Sequence, residues 1–332
     1  MIKTYELDVV VTRGEATESR HRVHAAVVSD GEQLTGAALE SSCSTFWRSC
    51  AKPFQALPFL NSGGLDALGW GDEQLAVICA SHGGEPEHVA IVERMLQDIG
   101  LEEGDLACGA HDPSSQRGGR ILRETNGRPT RLHNNCSGKH TGMLGWAHHK
   151  SWATRGYERS DHPVQRCILN EISLWSDLPC NKIDQAIDGC GVVVFGMTLE
   201  RMARAYSRFA VAAARGEEAP RRIVRAMTAH PFLVGGTDRI DSVLISESGG
   251  RVISKVGAEG VHCAMLTEQG IGVAIKVEDG SQRAQFPALI RLLVELDALP
   301  KPLPPRIAEF MRKPLKNTRG ESIGEVMMLA DR

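Results

Sequence analysis

The chain has 332 residues, 42% hydrophobic, 24% charged and 5% aromatic, with 38 basic against 41 acidic side chains for a net charge of −3. That length buries a core without staples, the balanced charge excludes the basic face of a nucleic-acid binder, and no apolar run approaches the about 18 residues of a membrane span. Two counts are less ordinary: nine cysteines, an odd number that reads as free thiols in a reducing, cytoplasmic setting, and only ten lysines against 28 arginines.

The opening residues, Met1-Ile2-Lys3-Thr4-Tyr5-Glu6, carry no signal-peptide core. Leu7 to Thr12 and Arg22 to Ser29 are β-rich runs, expected to pair through a turn at Arg13-Gly14-Glu15. From about Lys52 to His230 the period becomes helical, over 52–60, 72–79, 86–99, 139–149, 162–175, 198–215 and 219–229. Val192 to Phe195 is a short apolar exception. Asp241 to Glu247 and Arg251 to Val256 flank Ser248-Gly249-Gly250 and read as a hairpin. Gly272 to Glu278 is a strand, Gln282 to Leu296 a helix, and 297–305 an irregular proline-rich stretch. The order predicts an α/β (α+β) chain forming one catalytic domain over 1–332. Its antiparallel sheet comes from about 1–50 and 240–332, and a mainly helical lobe of about 51–239 is inserted between them. A cleft between the lobes is the natural site.

Five segments carry side chains able to do chemistry. In Arg48-Ser49-Cys50-Ala51-Lys52-Pro53, Ser49 and Lys52 lie one helical turn apart, where a neutral lysine can act as base for a serine. Pro53 restricts that pair to a first helical turn. Cys79-Ala80-Ser81-His82-Gly83-Gly84 is a small-residue turn that presents Ser81 and His82. Asn134-Asn135-Cys136-Ser137-Gly138-Lys139-His140 looks like a phosphate loop and is not one: His133 stands where the first glycine belongs, and His140 where Ser or Thr must follow the lysine. What remains is a polar turn opening a helix, expected to favour thiolate at Cys136. Asp188-Gly189-Cys190-Gly191 flanks a cysteine with glycines, but two cysteines alone do not make a conventional zinc site. Lys255-Val256-Gly257-Ala258-Glu259-Gly260 ends a strand in a glycine-rich turn, where Lys255 is either an ordinary surface lysine or one that projects into a cleft with Ser49 and Ser81.

Each motif alone is weak, and a Ser-x-x-Lys arises about once by chance in such a length. In series, R-S-x-x-K-P, C-A-S-H, N-C-S-G-K-H, D-G-C-G and K-x-G-A-E-G resemble the asparaginase II family of rhizobial-type L-asparaginases. The resemblance runs from Arg13 and His21-Arg22-Val23-His24 to about Gly280, and takes in His230-Pro231 and Arg239. It implies a fold similar to serine β-lactamases and glutaminases, and hydrolysis of the side-chain amide of L-asparagine to L-aspartate and ammonia. It further implies two Ser-Lys tandems, Ser49 with Lys52 and Ser81 with Lys255. Zinc would be held by Cys136, Lys139 and Cys190, and substrate by Arg48, Lys139, His140, Asp188 and Gly189, in a homodimer with no nucleic-acid or membrane partner. Zinc held by a lysine amine should weaken as pH falls, because the amine must be neutral to ligate.

Two departures stand out. Gly83-Gly84 occupies positions where serines can follow the C-A-S-H segment, which should loosen the turn carrying Ser81, and Val193 stands where proline is frequent. The alternatives are another Ser-Lys amidohydrolase, such as a glutaminase or small amidase, and a non-catalytic zinc or amino-acid binding protein. A thiol redox protein is disfavoured because no C-x-x-C occurs.

Overall fold

The computed structural model describes residues 2–332, and the chain divides into two compact units. One comprises the residues up to Cys50, Met197–Ala214 and Val243–Arg332; the other comprises Ala51–Gly196 and Arg215–Ser242.

The first unit is built on a six-stranded sheet in the order Lys3–Thr4, Gln33–Ala38, Val23–Ser29, Ile271–Val277, Val261–Leu266, Val252–Val256. All neighbours are antiparallel except Lys3–Thr4, which runs parallel to Gln33–Ala38. Its central strands are buried on both faces, which is why they read as continuous apolar runs without alternation. Helix Leu199–Ala214 lies directly on the sheet. A Cβ at Gly272 would meet Ala203 O at 2.1 Å, so this strand position must be glycine for the helix to approach. Helix Gln282–Glu295 also packs on strand Ile271–Val277. A second sheet, in the order Lys313–Lys316, Ser322–Met328, Val9–Arg13, Ala16–His21, completes the unit.

Three sequence expectations change here. Val9–Arg13 pairs through the turn at Gly14 with Ala16–His21, while Val23–Ser29 belongs to the other sheet. Both runs are β-rich, but the polar Ala16–His21 segment hides its strand from a hydrophobicity reading. Residues Ile240–Glu247 form a helix where a strand was expected. The run Ile-Asp-Ser-Val-Leu-Ile is short, apolar and β-branched, a composition in which periodicity does not separate helix from strand. Helix Leu199–Ala214 belongs to the sheet unit and not to the helical one.

The second unit is mainly helical, with Lys52–Asn61, Asp72–Ile78, Pro86–Asp98, Gln116–Glu124, Ser137–His149, Pro163–Ser176 and Glu218–Ala229 as its longer elements. Ser137–His149 is buried from Ser137 to Ala147 and packs against Lys52–Asn61, Asp72–Ile78 and Pro86–Asp98. Gly138, Gly142 and Gly145 line one of its faces. There a Cβ would meet Val77 O at 2.3 Å, Ile78 Cγ1 at 2.8 Å and a Trp70 ring carbon at 2.5 Å respectively. The missing side chains let the Asp72–Ile78 segment lie against this helix. Among the described residues no helix is long and apolar enough to cross a membrane.

Candidate active site

Pro53 sits at the start of helix Lys52–Asn61, preceded by a 3-10 turn over Arg48–Ala51. Proline is tolerated there because the first-turn amides lack helical partners anyway. Ser49 is half-buried in that turn, immediately after Arg48, whose φ of 51° is unusual for a non-glycine residue. Such a conformation costs roughly 1–3 kcal/mol and persists only where the surroundings enforce it. Lys52 is 1% exposed. Its ammonium donates to Ala80 O, to Ser81 Oγ at 3.1 Å and to Asn135 O at 3.2 Å. The lysine that the resemblance pairs with Ser49 is thus in hydrogen-bond contact with Ser81.

Ser81 lies in an entirely buried, irregular segment between two helices, its amide donating to Val234 O at 3.1 Å. The adjoining glycines do not loosen this turn. Gly84 has φ of 69°, and a Cβ there would meet His133 O at 2.8 Å; at Gly83 it would meet Ser115 Cβ at 2.7 Å. The chain at 113–115 and 133 closes directly over them, so serine at either position would open the turn. Beyond them Glu85, fully buried, accepts from Arg117 Nη1 at 2.6 Å, Thr237 N at 2.7 Å and Thr237 Oγ1 at 2.9 Å. Burial alone would raise its pKa, but the bonds from Arg117 and Thr237 outweigh it and hold the carboxyl below its usual range.

The Asn134–His140 motif now has a role for nearly every residue. Asn134 Oδ1 accepts from Cys136 N at 2.9 Å, and its Nδ2 donates to Gly109 O. Asn135 supplies the carbonyl for Lys52. Ser137 Oγ donates to Leu132 O, so it accepts from His82 Nε2 at 2.9 Å. The Gly84 amide donates to His82 Nδ1, which fixes the same tautomer. Gly138 permits contact with Val77.

Lys139 Nζ lies 3.0 Å from Cys190 Sγ, and both side chains are buried. Cys190 occupies the turn of a hairpin between Asp184–Ile187 and Val193–Thr198. That turn is closed by Asp188 N to Val192 O and Gly191 N to Asp188 O, with Gly189 N on Asp188 Oδ1. A hydrogen bond from Cys136, opposed by burial and helped by Lys139, brings the Cys190 thiol down to about 4. The same bond, together with burial, pushes Cys136 up to about 12. These shifts favour the thiolate on Cys190 and not on Cys136, through the bond from Cys136 and the Lys139 ammonium. Burial would lower Lys139, but Cys190, Cys136 and Asp188 together raise it.

Two sulfurs and an amine converge here. Among the described residues no group of three or more His, Cys, Asp and Glu is arranged to hold a metal, so a metal at this point depends on Lys139 as a donor. The donor set suits a borderline-soft cation, provided Lys139 and Cys136 give up their protons. Sequence reasoning missed a third nearby thiol, Cys108, which burial, Cys136 and Cys190 push up to about 12. It also missed Tyr157, whose hydroxyl lies 2.6 Å from His140 Nδ1. Neither residue has a recognisable neighbourhood in the chain. His140 is fully buried, held down to about 3 by burial and by Lys139. Its Nε2 has no hydrogen-bond partner, at a cost of about 1–3 kcal/mol for a buried polar group.

In the first unit, Lys255 is fully buried in strand Val252–Val256, opposite Cys263, with its Nζ donating to Val256 O at 3.0 Å. Cys50 Sγ, next to Ser49, donates to Lys255 O at 3.0 Å, and Cys50 O accepts from Tyr206 at 2.7 Å. The carboxyl end of the Ser49 turn is thereby tied to the strand that bears Lys255.

No curated protein matches the chain. Among solved structures it is similar to Mglu in its native form in 4.3 M NaCl, at 14% identity and a TM-score of 0.46, covering 84% of this chain and 61% of that one. It is also similar to a D-alanine carboxypeptidase AmpC from Burkholderia cenocepacia, at 13% identity and a TM-score of 0.34, covering 82% and 93% respectively. The chain thus spans about three fifths of the length of Mglu. The L-asparaginase II family model matches residues 9–328, nearly the whole sequence. With that match and the N-C-S-G-K-H and D-G-C-G segments meeting at Lys139 and Cys190, the chain belongs to the L-asparaginase II family.

Proposed function

We propose that this protein is an L-asparaginase that hydrolyses the side-chain amide of L-asparagine through Ser-Lys chemistry. The observation that carries the reading is the buried Lys52 ammonium within 3.1 Å of Ser81 Oγ, one helical turn along the chain from Ser49. In its neutral form Lys52 draws a proton from a serine hydroxyl as that oxygen attacks the amide carbon, and the resulting ammonium returns the proton to the leaving nitrogen. Ser49 is the nucleophile; Ser81, with Lys255, relays the proton and helps activate the deacylating water. Ser81 N–H and Gly84 N–H are already committed to Val234 O and His82 Nδ1. Donors for the oxyanion therefore come from the turn at Ser49 and from Gly83 N–H. Arg48, Lys139, His140, Asp188 and Gly189 hold the α-carboxylate and α-amino groups that an asparagine site must pair.

Zinc fits Cys136, Lys139 and Cys190 as donors, and when bound it supplies a fixed positive charge that orients the substrate. A homodimer in the cytoplasm belongs to the same proposal, and light scattering of the purified protein tests the assembly. The deciding experiment is ammonia release from asparagine, glutamine and small amides, by wild type and by Ser49→Ala. Selective release from asparagine, lost in Ser49→Ala, is the expected result. Near wild-type release by Ser49→Ala refutes the nucleophile, and preference for glutamine or simple amides refutes the substrate.

A further inference from the structure

One buried donor near Lys139 has nothing to donate to. His140 Nδ1 lies 2.6 Å from the Tyr157 hydroxyl, and that hydroxyl accepts the Ala107 N–H at 2.9 Å. The rings meet edge-on, 5.6 Å apart at 85°. A phenol has a single proton, and here the acceptor within its reach is His140 Nδ1. Were His140 to donate instead, the Tyr157 proton would be buried without a partner, the arrangement that native interiors avoid. Tyr157 is therefore the donor, the imidazole proton sits on Nε2, and Nε2 is buried and unpartnered. A protonated Nε2 has no lone pair for a metal. The charged or titratable groups around the ring are Lys139, Cys136, Lys52 and Glu158.

We propose that Tyr157 is a positioning residue that locks His140 as an Nε2–H donor, and that this donor takes an acceptor oxygen of the bound amino acid. The inference rests on the amino-acid amide reading above and deepens it. It makes His140 a residue that distinguishes a ligand with a carboxylate or amide oxygen at that point from one without. It also gives a function to a tyrosine that no motif marks.

The test uses whole protein labelled with 15N-histidine at neutral pH. Long-range proton–nitrogen spectra should show His140 as the neutral Nε2–H tautomer, and saturating L-aspartate, the product, should shift its Hε2 resonance. Tyr157→Phe should release the tautomer into a mixture and raise KM for asparagine about fivefold, the effect of about one neutral hydrogen bond, with kcat changed less than about twofold. His140→Gln, whose amide N–H reaches as far as Nε2, should retain more affinity than His140→Asn. A wild-type Nδ1–H tautomer overturns the proposal. So does an Hε2 resonance unmoved by aspartate, which would assign the donor to a permanent buried water, and so does Tyr157→Phe with unchanged tautomer and KM. Should Tyr157→Phe not fold, the wild-type spectra still decide. Failure of the asparaginase reading shows separately, as absent ammonia release with the Nε2–H tautomer intact.

Discussion

Gly138→Ala puts one methyl group where helix Ser137–His149 touches the end of helix Asp72–Ile78. The new Cβ would lie 2.3 Å from Val77 O, 2.4 Å from Val77 Cγ1 and 2.8 Å from the Val77 carbonyl carbon. Two of those three atoms belong to the backbone, so no rotamer change relieves the overlap. Restoring ordinary contact requires the segments to separate by roughly 1 Å, a strain of the kind that costs about 1–3 kcal/mol in a packed core. The same turn carries Cys136, Lys139 and His140, and a shift of about 1 Å in a catalytic constellation can cost about 100-fold in rate. We expect Gly138→Ala to lower the thermal midpoint by several degrees and to cut ammonia release by one to two orders of magnitude. Gly119→Ala is the control. It lies within helix Gln116–Glu124, and its Cβ would meet only the Arg123 guanidinium, at 3.4 Å. Alanine there should stabilise by about 0.5–1 kcal/mol through helix propensity alone. Calorimetry and the ammonia assay on both variants decide: a Gly138→Ala protein as stable and active as wild type refutes the packing role of this glycine.

Lys52→Met keeps the apolar stem and removes the ammonium from Ser81, so ammonia release should fall by at least about 100-fold; a loss under tenfold in single-turnover assays removes Lys52 from the proton path. Zinc affinity should fall as pH drops. Cys190 is already ionised at neutral pH, whereas Cys136 and Lys139 must each release a proton, which gives about two decades of affinity per pH unit. Competition titrations with a chelating dye between pH 6 and 8 measure the slope, and a slope near one, the Cys136 proton alone, excludes Lys139 as a ligand. Glu85→Gln should cost about 1.5–3 kcal/mol at neutral pH by removing the charge from hydrogen bonds to Arg117 and Thr237. Because the folded carboxyl sits below its ordinary value, its contribution is fully present above the unfolded pKa of about 4.3 and is lost as pH falls through the folded one. Glu85→Gln should therefore flatten the acid limb of the stability curve, and an unchanged limb in urea titrations at pH 3 to 6 contradicts this.

Much of the architecture was legible because it is written in local periodicity. The helices over 52–61, 72–78, 86–98, 163–176 and 218–229 all fall where apolar spacing put them, since amphipathic spacing and first-turn prolines act within one or two turns. The N-C-S-G-K-H segment was recognisable as a polar turn that opens a helix, and its failure to match a phosphate loop was also readable from the residues alone. Three of the ten lysines, Lys52, Lys139 and Lys255, fall in the five motif segments, and the fold buries each to at most 4% exposure.

Contacts between residues far apart in the chain were decided only by the tertiary structure. Ser81 lies 29 positions from Lys52, and Cys190 lies 51 from Lys139; no local preference encodes either meeting. The sequence placed thiolate on Cys136 because a helix begins there, but the folded chain brings the Cys136 hydrogen bond and an ammonium to Cys190 and favours the charge there. Strand Ala16–His21 was hidden by its polarity, and Ile240–Glu247 took the helical form that its composition left open. Tyr157 carried no signal at all, because its hydroxyl has meaning only once Ala107 and His140 have closed around it. Residue types and spacing determined which groups are available for chemistry here; burial and long-range packing decided which of them hold protons, and for whom.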